Sequence, residues 1–320
     1  MAPLAEILLP VFLLILIGVA AARTGLLGAP AVKALSDAAF LVFLPALLFG
    51  AIGRVEFDEL SPGAALAYYG AGLPLYAAAL VVQVRRGVQV ANAVVQALSA
   101  VFANTVMLGI PVVTLAYGET GLALLLTIIA VHALIFLTLS TLVLEIAIVL
   151  GRRTDVAQPA WRAVAGSLLP VIRASLMHPV VLPILAGLAW SAAGAKLPRP
   201  VDTTLTMLGG AAAPLCLVLL GASLAQFDLR RGIATAAALV VLKSAVHPLL
   251  VWLAGAFVFD VGPLPLAIAT VTAALPIGAN VYLFAQRYDA QVGEVSAAVT
   301  LSTLAAALSL PWLLLWLPGR

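Results

Sequence analysis

Asn104-Thr105-Val106-Met107-Leu108-Gly109-Ile110-Pro111 lies inside one long apolar run, and Leu275-Pro276-Ile277-Gly278-Ala279-Asn280 lies inside another. Each sets Gly close to Pro, where an unbroken helix accommodates neither well. Proline lacks the backbone donor and its ring clashes with the carbonyl four residues back, so each helix must open there. In lipid, freed backbone groups persist only where protein buries them or where they line a wet cavity. Two helices interrupted at corresponding places in two halves of a chain point to a binding site between them, the arrangement of many carriers. The two stretches therefore predict an all-α integral membrane protein that holds a substrate between its breaks.

Composition supports the membrane. Hydrophobic residues make up 64% of the chain and charged residues 9%, against about 25% charged in an ordinary soluble domain. The net charge of +3 comes from basic residues that fall between apolar runs. They read as topology determinants and lipid-headgroup contacts, not as a nucleic-acid footprint. Cys216 is the single cysteine and can form no intrachain disulfide. At the N-terminus, Val19-Ala20-Ala21-Ala22 imitates a signal-peptide cleavage site, but no Lys or Arg precedes the apolar run and Glu6 sits where a basic region would be. That run is read as the first transmembrane helix.

Runs of about 20 apolar residues match the ~30 Å hydrocarbon core. Ten such segments are predicted, at residues 4–22, 35–52, 64–84, 91–115, 122–150, 167–192, 203–225, 233–259, 264–286 and 292–317. They divide into a first five-helix repeat (1–150), a cytoplasmic linker (151–165) and a second repeat (166–320). Loops after odd-numbered segments, with their flanks, hold eleven cations: Arg23, Lys33, Arg85, Arg86, Arg152, Arg153, Arg162, Arg173, Arg230, Arg231 and Arg287. The opposite side has four: Arg54, Lys196, Arg199 and Arg320. The positive-inside rule then makes the odd loops cytoplasmic and puts both termini outside.

The halves also echo each other in proline. Pro10, Pro45 and Pro111 are spaced by 35 and 66 residues, and Pro179, Pro214 and Pro276 by 35 and 62. With five segments in each half, the second repeat enters the membrane from the opposite side and is inverted.

Several polar residues within the segments could carry chemistry. A half-helix that begins at a break presents free N–H groups and the positive end of its dipole, a seat for an anion such as a carboxylate. Asn104, before Pro111, and Asn280, after Pro276, each add an amide that can donate to a carboxylate; alternatively, both only satisfy backbone groups freed by the breaks. Thr127 and His132 lie among aliphatic residues of segment 5 and are candidate cavity residues, since an imidazole at membrane depth needs water or a partner. Lys243 is the cation deepest in a span, with His247 one turn on. Lys243 either neutralises an anionic substrate or the negative ends of the half-helices, or forms a structural pair with Glu145 or backbone carbonyls. His178, beside Pro179, is a further candidate for charge compensation or coupling, or a satisfied structural group at a kink. Ser296, Thr300 and Thr303 read as a packing stripe, Leu208–Pro214 as a close helix contact, and Asp37 as a carboxylate opening segment 2.

Absences discriminate as well. No segment centre carries the acidic pair expected if sodium or protons were the cargo, and no phosphate-cradling Gly-x-x-x-x-Gly-Lys loop, Cys/His metal cluster or paired nucleophile and base occurs. Neither an enzyme nor a cofactor is expected, apart from coupling by protons or sodium.

The stretch from Asn104 to Pro111, continued through Tyr117-Gly118, resembles the fourth-helix signature of the auxin efflux carrier family. Ala274-Leu-Pro-Ile-Gly278 through Phe284-Ala285 and Tyr288 resembles its ninth helix, and Ala213-Pro-Leu-Cys-Leu-Val-Leu-Leu-Gly-Ala-Ser-Leu224 is similar to its seventh. The Gly-Ala-Asn form at 278–280 looks closest to bacterial members named as malonate or other carboxylate transporters. The resemblance implies ten transmembrane helices as two inverted five-helix repeats, with broken helices 4 and 9 crossing at Pro111 and Pro276. It also implies a scaffold domain, a homodimer, an organic anion substrate, Asn104 as a carboxylate contact and segment 5 as a cavity wall. Thr127 and His132 stand where plant members carry glutamine, and the central linker is short, which points to an acid smaller and more polar than auxin.

The sequence is thus read as a multi-pass secondary transporter in the cell's inner (plasma) membrane. It moves malonate-like or related carboxylates, with auxin-like acids in the same class, by alternating access. Two alternatives are an inorganic cation/proton antiporter and a non-transporting carboxylate sensor.

Overall fold

Proline marks where several helices of this chain start or widen, although Pro10, Pro74, Pro214 and Pro311 lie inside helices. The computed structural model describes residues 2–54, 62–151, 173, 177, 179–227 and 232–317. In order, the helices are α1 (Ala2–Arg23), α2 (Ala29–Ala38), α3 (Leu44–Gly53), α4 (Gly63–Arg85), α5 (Val90–Val101), α6 (Ile110–Gly151) and α7 (Val181–Ala192). There follow α8 (Arg199–Leu224), α9 (Ile233–Val241), α10 (His247–Phe257), α11 (Pro263–Ala274), α12 (Ala279–Arg287) and α13 (Val292–Trp316). Among the described residues no strand is present beyond a single bridge between Ala103 and Ile277.

Three wide π turns precede helices: Ala39–Phe43 joins α2 to α3, Leu242–Val246 joins α9 to α10, and Thr105–Gly109 opens α6 after the break at residues 102–104. In each case the following helix carries proline as its second residue, at Pro45, Pro111 and Pro248. The carbonyl four residues before each proline, of Leu41, Met107 and Ser244, lies inside the π turn. With no N–H to receive and a ring pressing against it, that carbonyl is pushed outward and the turn widens.

Among the described residues, six helices are long and apolar enough to cross a bilayer: Ala29–Gly53, Gly63–Arg85, Thr105–Leu144, Arg199–Leu224, Ile233–Phe257 and Val292–Trp316. Their outward faces are apolar, with Leu41, Met207, Phe257, Leu308 and Trp312 exposed. In water such a surface would drive aggregation; in lipid it is the solvent-facing side.

Packing forms two apolar cores. One joins α1, α3, α7, α8 and the first half of α6, with residues of α11 and α13, around Val11, Leu48, Ile184 and Leu219. The other joins α4, α5, α11 and α13, around Tyr68, Leu98, Ala269 and Ala298. In the first core, α1 and α8 touch backbone to backbone: a Cβ on Gly221 would lie 1.9 Å from the Ile15 carbonyl oxygen, and one on Gly18 would lie 2.0 Å from that of Val218. Only glycine permits that approach. Gly209 is similarly close to Leu47, where a Cβ would come within 3.1 Å of its Cα. The run from Leu208 to Pro214 is therefore a close helix contact, as predicted. The Thr300 and Thr303 hydroxyls turn back onto carbonyls of their own helix, and with Ser296 they are buried packing residues.

Two expectations are corrected. Segment 2 starts at Ala29, with Pro30 in its first turn, so Asp37 does not open the helix; it lies inside α2 and pairs with Lys33 at 2.7 Å. Segments 4 and 5 are separated by Gly118 alone, whose φ of 66° and ψ of −158° interrupt α6, and not by the gap of several residues expected. Glycine adopts that conformation at little cost, which is why one residue suffices. His178, residues 152–165 of the linker and the Glu145 side chain lie outside the described residues.

Candidate functional site

The two sequence breaks meet. α5 stops at Val101, and Phe102 is extended (φ −78°, ψ 107°), as is Leu275 after α11 (φ −58°, ψ 149°). Ala103 and Ile277 then pair antiparallel. The Asn104 N–H donates to the Pro276 carbonyl at 2.8 Å, and the Gly278 N–H donates to the Phe102 carbonyl at 3.0 Å. Each opened helix thus supplies partners that the other has lost, the accounting that a buried backbone requires. The pair sits where the two cores join, since Ala103 and Leu275 pack in one and Phe102 and Ile277 in the other. Gly278 permits the approach: a Cβ there would fall 2.9 Å from the Phe102 ring and 3.0 Å from the Ala103 carbonyl oxygen.

Neighbouring helices satisfy what remains. Ile277 N–H donates to the Ser302 hydroxyl of α13 at 3.0 Å. At the carbonyl end of α5, the buried Tyr68 hydroxyl of α4 donates to Val101 at 3.1 Å. At the carbonyl end of α11, the fully buried Lys243 ammonium donates to Ala273 and, at 2.7 Å, to Leu275. Of the two structural partners weighed for Lys243, the backbone carbonyls are bonded, and the Glu145 side chain lies outside the described residues.

Both half-helix starts face one cavity of about 50 Å³. Its walls include Asn104, Thr105, Val106 and Met107 from the first break, Gly278, Ala279 and Asn280 from the second, His132 of α6, and Phe40 and Val181. Asn104 is buried and its side-chain N–H₂ group has no hydrogen-bond partner. An unpaired buried amide costs about 1–3 kcal/mol, so the position is expensive unless something polar enters. The His132 imidazole approaches the Ala103 carbonyl without reaching hydrogen-bond geometry, its ring centroid 4.3 Å from that of Phe102.

Of the predicted site residues, the structure brings Asn104, His132 and Asn280 into one cavity wall. Pro111 and Pro276 shape the backbone beside it: the first follows the π turn, the second lends its carbonyl to Asn104. Thr127 lies outside the wall, its hydroxyl bonded to the Leu124 carbonyl of its own helix at 2.7 Å. His247 is buried behind the crossing with both ring nitrogens unpartnered, 5.1 Å from the Tyr68 ring. Sequence reasoning missed Tyr68, Phe102 and Ser302. A tyrosine pair at 68–69 in the middle of an apolar segment was the available signal, because a buried phenol needs an acceptor; Phe102 and Ser302 carried none.

The electrostatics of the wall favour an anion. Two helix starts converge with their N–H groups and dipoles, an unpaired amide donor stands at one, and Lys243 holds the Leu275 carbonyl, three residues before Gly278 at the other. The profile of the family described as "Membrane transport protein" matches residues 3–314. A protein of Rhizobium meliloti (strain 1021) named "Putative malonate transporter" is 28% identical over 326 positions, covering 98% of this chain and 96% of that protein. With the profile running over nearly the whole chain, the protein belongs to this membrane transport family, that of the auxin efflux carriers.

Proposed function

We propose that this protein is a secondary transporter of small dicarboxylates of the malonate type, held at the crossing of its two broken helices and moved by alternating access. The observation that carries the reading is the cavity wall itself: two half-helix starts, the unpaired Asn104 amide, Asn280 and His132 around one buried space. A carboxylate placed there accepts from the Asn104 amide and from first-turn N–H groups, and removes the cost of leaving that amide unpaired. The relative named for malonate supports the same chemical class.

The space of about 50 Å³ has room for a few waters, at about 10–15 Å³ each. A dicarboxylate therefore enters as Phe40 and Val181 on one side and the crossing on the other move apart. That division supports a rocking or elevator displacement of the crossing group against the α1, α3, α7 and α8 group. Ten transmembrane helices in inverted repeats, with residues 1–150 and 166–320 as the halves, both termini outside the inner membrane and two chains per assembly, complete the proposal.

The test is a thermal-shift titration of the purified protein with malonate, related dicarboxylates, auxin, sodium and a pH series. A ligand of the folded state stabilises it by about 2.7 kcal/mol at one hundred times its dissociation constant. Malonate should raise the melting temperature of the wild type, and Asn104→Ala should abolish the response with the fold retained. An Asn104→Ala protein that binds malonate as the wild type does removes the site. A response to sodium or pH with none to any carboxylate turns the reading to cation exchange.

A further inference from the structure

Lys243 is the one ammonium buried completely among the described residues. It projects from the π turn Leu242–Val246 and reaches the last carbonyls of α11, those of Ala273 and Leu275. The next carbonyl along, that of Pro276, accepts from Asn104 at the cavity wall. The ammonium therefore holds a carbonyl three residues before Gly278, where the backbone begins to line the anion seat. In carriers with broken helices, unwound carbonyls and half-helix carbonyl ends are where a coupling cation binds.

The other broken helix provides an internal comparison. The carbonyl end of α5 is met by the neutral Tyr68 hydroxyl. A neutral donor therefore satisfies a carbonyl at such an end, yet α11 receives a charge. A lysine at membrane depth costs on the order of 3 kcal/mol on insertion scales, so its charge needs a compensating use. Among the described residues, the groups facing it are the α11 carbonyls and the imidazoles of His132 and His247, none of which is an anion.

We propose that Lys243 is a tethered cation standing in the seat of a coupling ion: its ammonium, fixed on the Ala273 and Leu275 carbonyls, balances the carboxylate bound at the crossing, so that the carrier needs no free sodium there. Removing the side chain leaves a seat lined by two carbonyl oxygens that a small monovalent cation, sodium or methylammonium, fills. The first half of this inference rests on the anion reading of the crossing; the second does not.

The experiment uses purified wild type, Lys243→Ala and Lys243→Gln, melted in choline chloride and in increasing sodium or methylammonium chloride, with and without malonate. Wild type should be indifferent to the cation. Lys243→Ala should melt low in choline and regain stability saturably with sodium or methylammonium. Lys243→Gln keeps a neutral donor for the carbonyls, so it should fold without added cation, show no cation response and bind malonate about tenfold or more weakly. Wild-type malonate affinity in Lys243→Gln overturns the charge role. A folded Lys243→Ala that ignores both cations, or a saturable sodium response in the wild type, overturns the tethered-ion role. If the wild type ignores malonate while Lys243→Ala responds to cations, the substrate assignment fails and the cation seat stands.

Discussion

Gly278→Ala tests whether the two breaks are held as tightly as their geometry indicates. Gly278 has φ −70° and ψ 140°, which any residue adopts, so alanine introduces no backbone strain. The effect is one of space alone. The added methyl would sit 2.9 Å from Phe102 Cδ1 and 3.0 Å from the Ala103 carbonyl oxygen, where carbon contacts are favourable at about 3.5–4.0 Å. Phe102 cannot turn aside, because it is 3% exposed and stacked on His132. The strands must part by roughly 0.5 Å or more, stretching the bonds from Asn104 to Pro276 and from Gly278 to Phe102. Two weakened buried hydrogen bonds cost about 0.5–1.5 kcal/mol each, and overpacking adds about 1–3 kcal/mol. The expected loss is on the order of 2–6 kcal/mol, seen as a lowered melting temperature with a diminished malonate response. Gly210→Ala is the control: nothing lies within 4 Å of its added methyl, and the swap should be neutral or stabilise α8 by up to about 1 kcal/mol. A Gly278→Ala protein that melts and binds like the wild type would refute the contact between the breaks.

Two further substitutions probe the frame around the site. Gly221→Ala puts a methyl 1.9 Å from the Ile15 carbonyl oxygen; α1 and α8 must separate, and a loss of about 3 kcal/mol or more should appear as little monodisperse protein on gel filtration, whereas wild-type yield and melting would show that the helices are not in backbone contact. Tyr68→Phe keeps the ring between His132 and His247, at 5.6 and 5.1 Å, and removes only the bond to Val101. It should cost about 1 kcal/mol and leave the malonate response in place; loss of that response at normal stability would make the hydroxyl part of the site.

What could be read in the sequence was what has local causes. Pro111 and Pro276 each stand close to a glycine within an apolar run, so both breaks were legible, and the family resemblance implied that they would cross. The start of segment 2 was missed because Ala29–Ser36 contains Lys33 and Ser36 and reads as weakly apolar, although Pro30 in a first helical turn was a start signal of the local kind. The boundary at Gly118 was blurred for a different reason: one left-handed glycine separates two apolar helices without any polar loop. Residues whose meaning depends on a distant partner stayed ambiguous. Asn104 could be a backbone satisfier or a ligand group, and only the position of its unpaired amide in a shared cavity favours the second. Lys243 had two readings because its acceptors lie some thirty residues away, on α11. Yet the physics that limited the choice was already present. A broken helix in lipid leaves carbonyls that must find donors, and a buried lysine must find acceptors. A hydroxyl answers that need at α5, as Tyr68 does. The ammonium at α11 brings, beyond hydrogen bonds, a charge close to the crossing, and in the proposed transport mechanism this surplus balances the bound carboxylate.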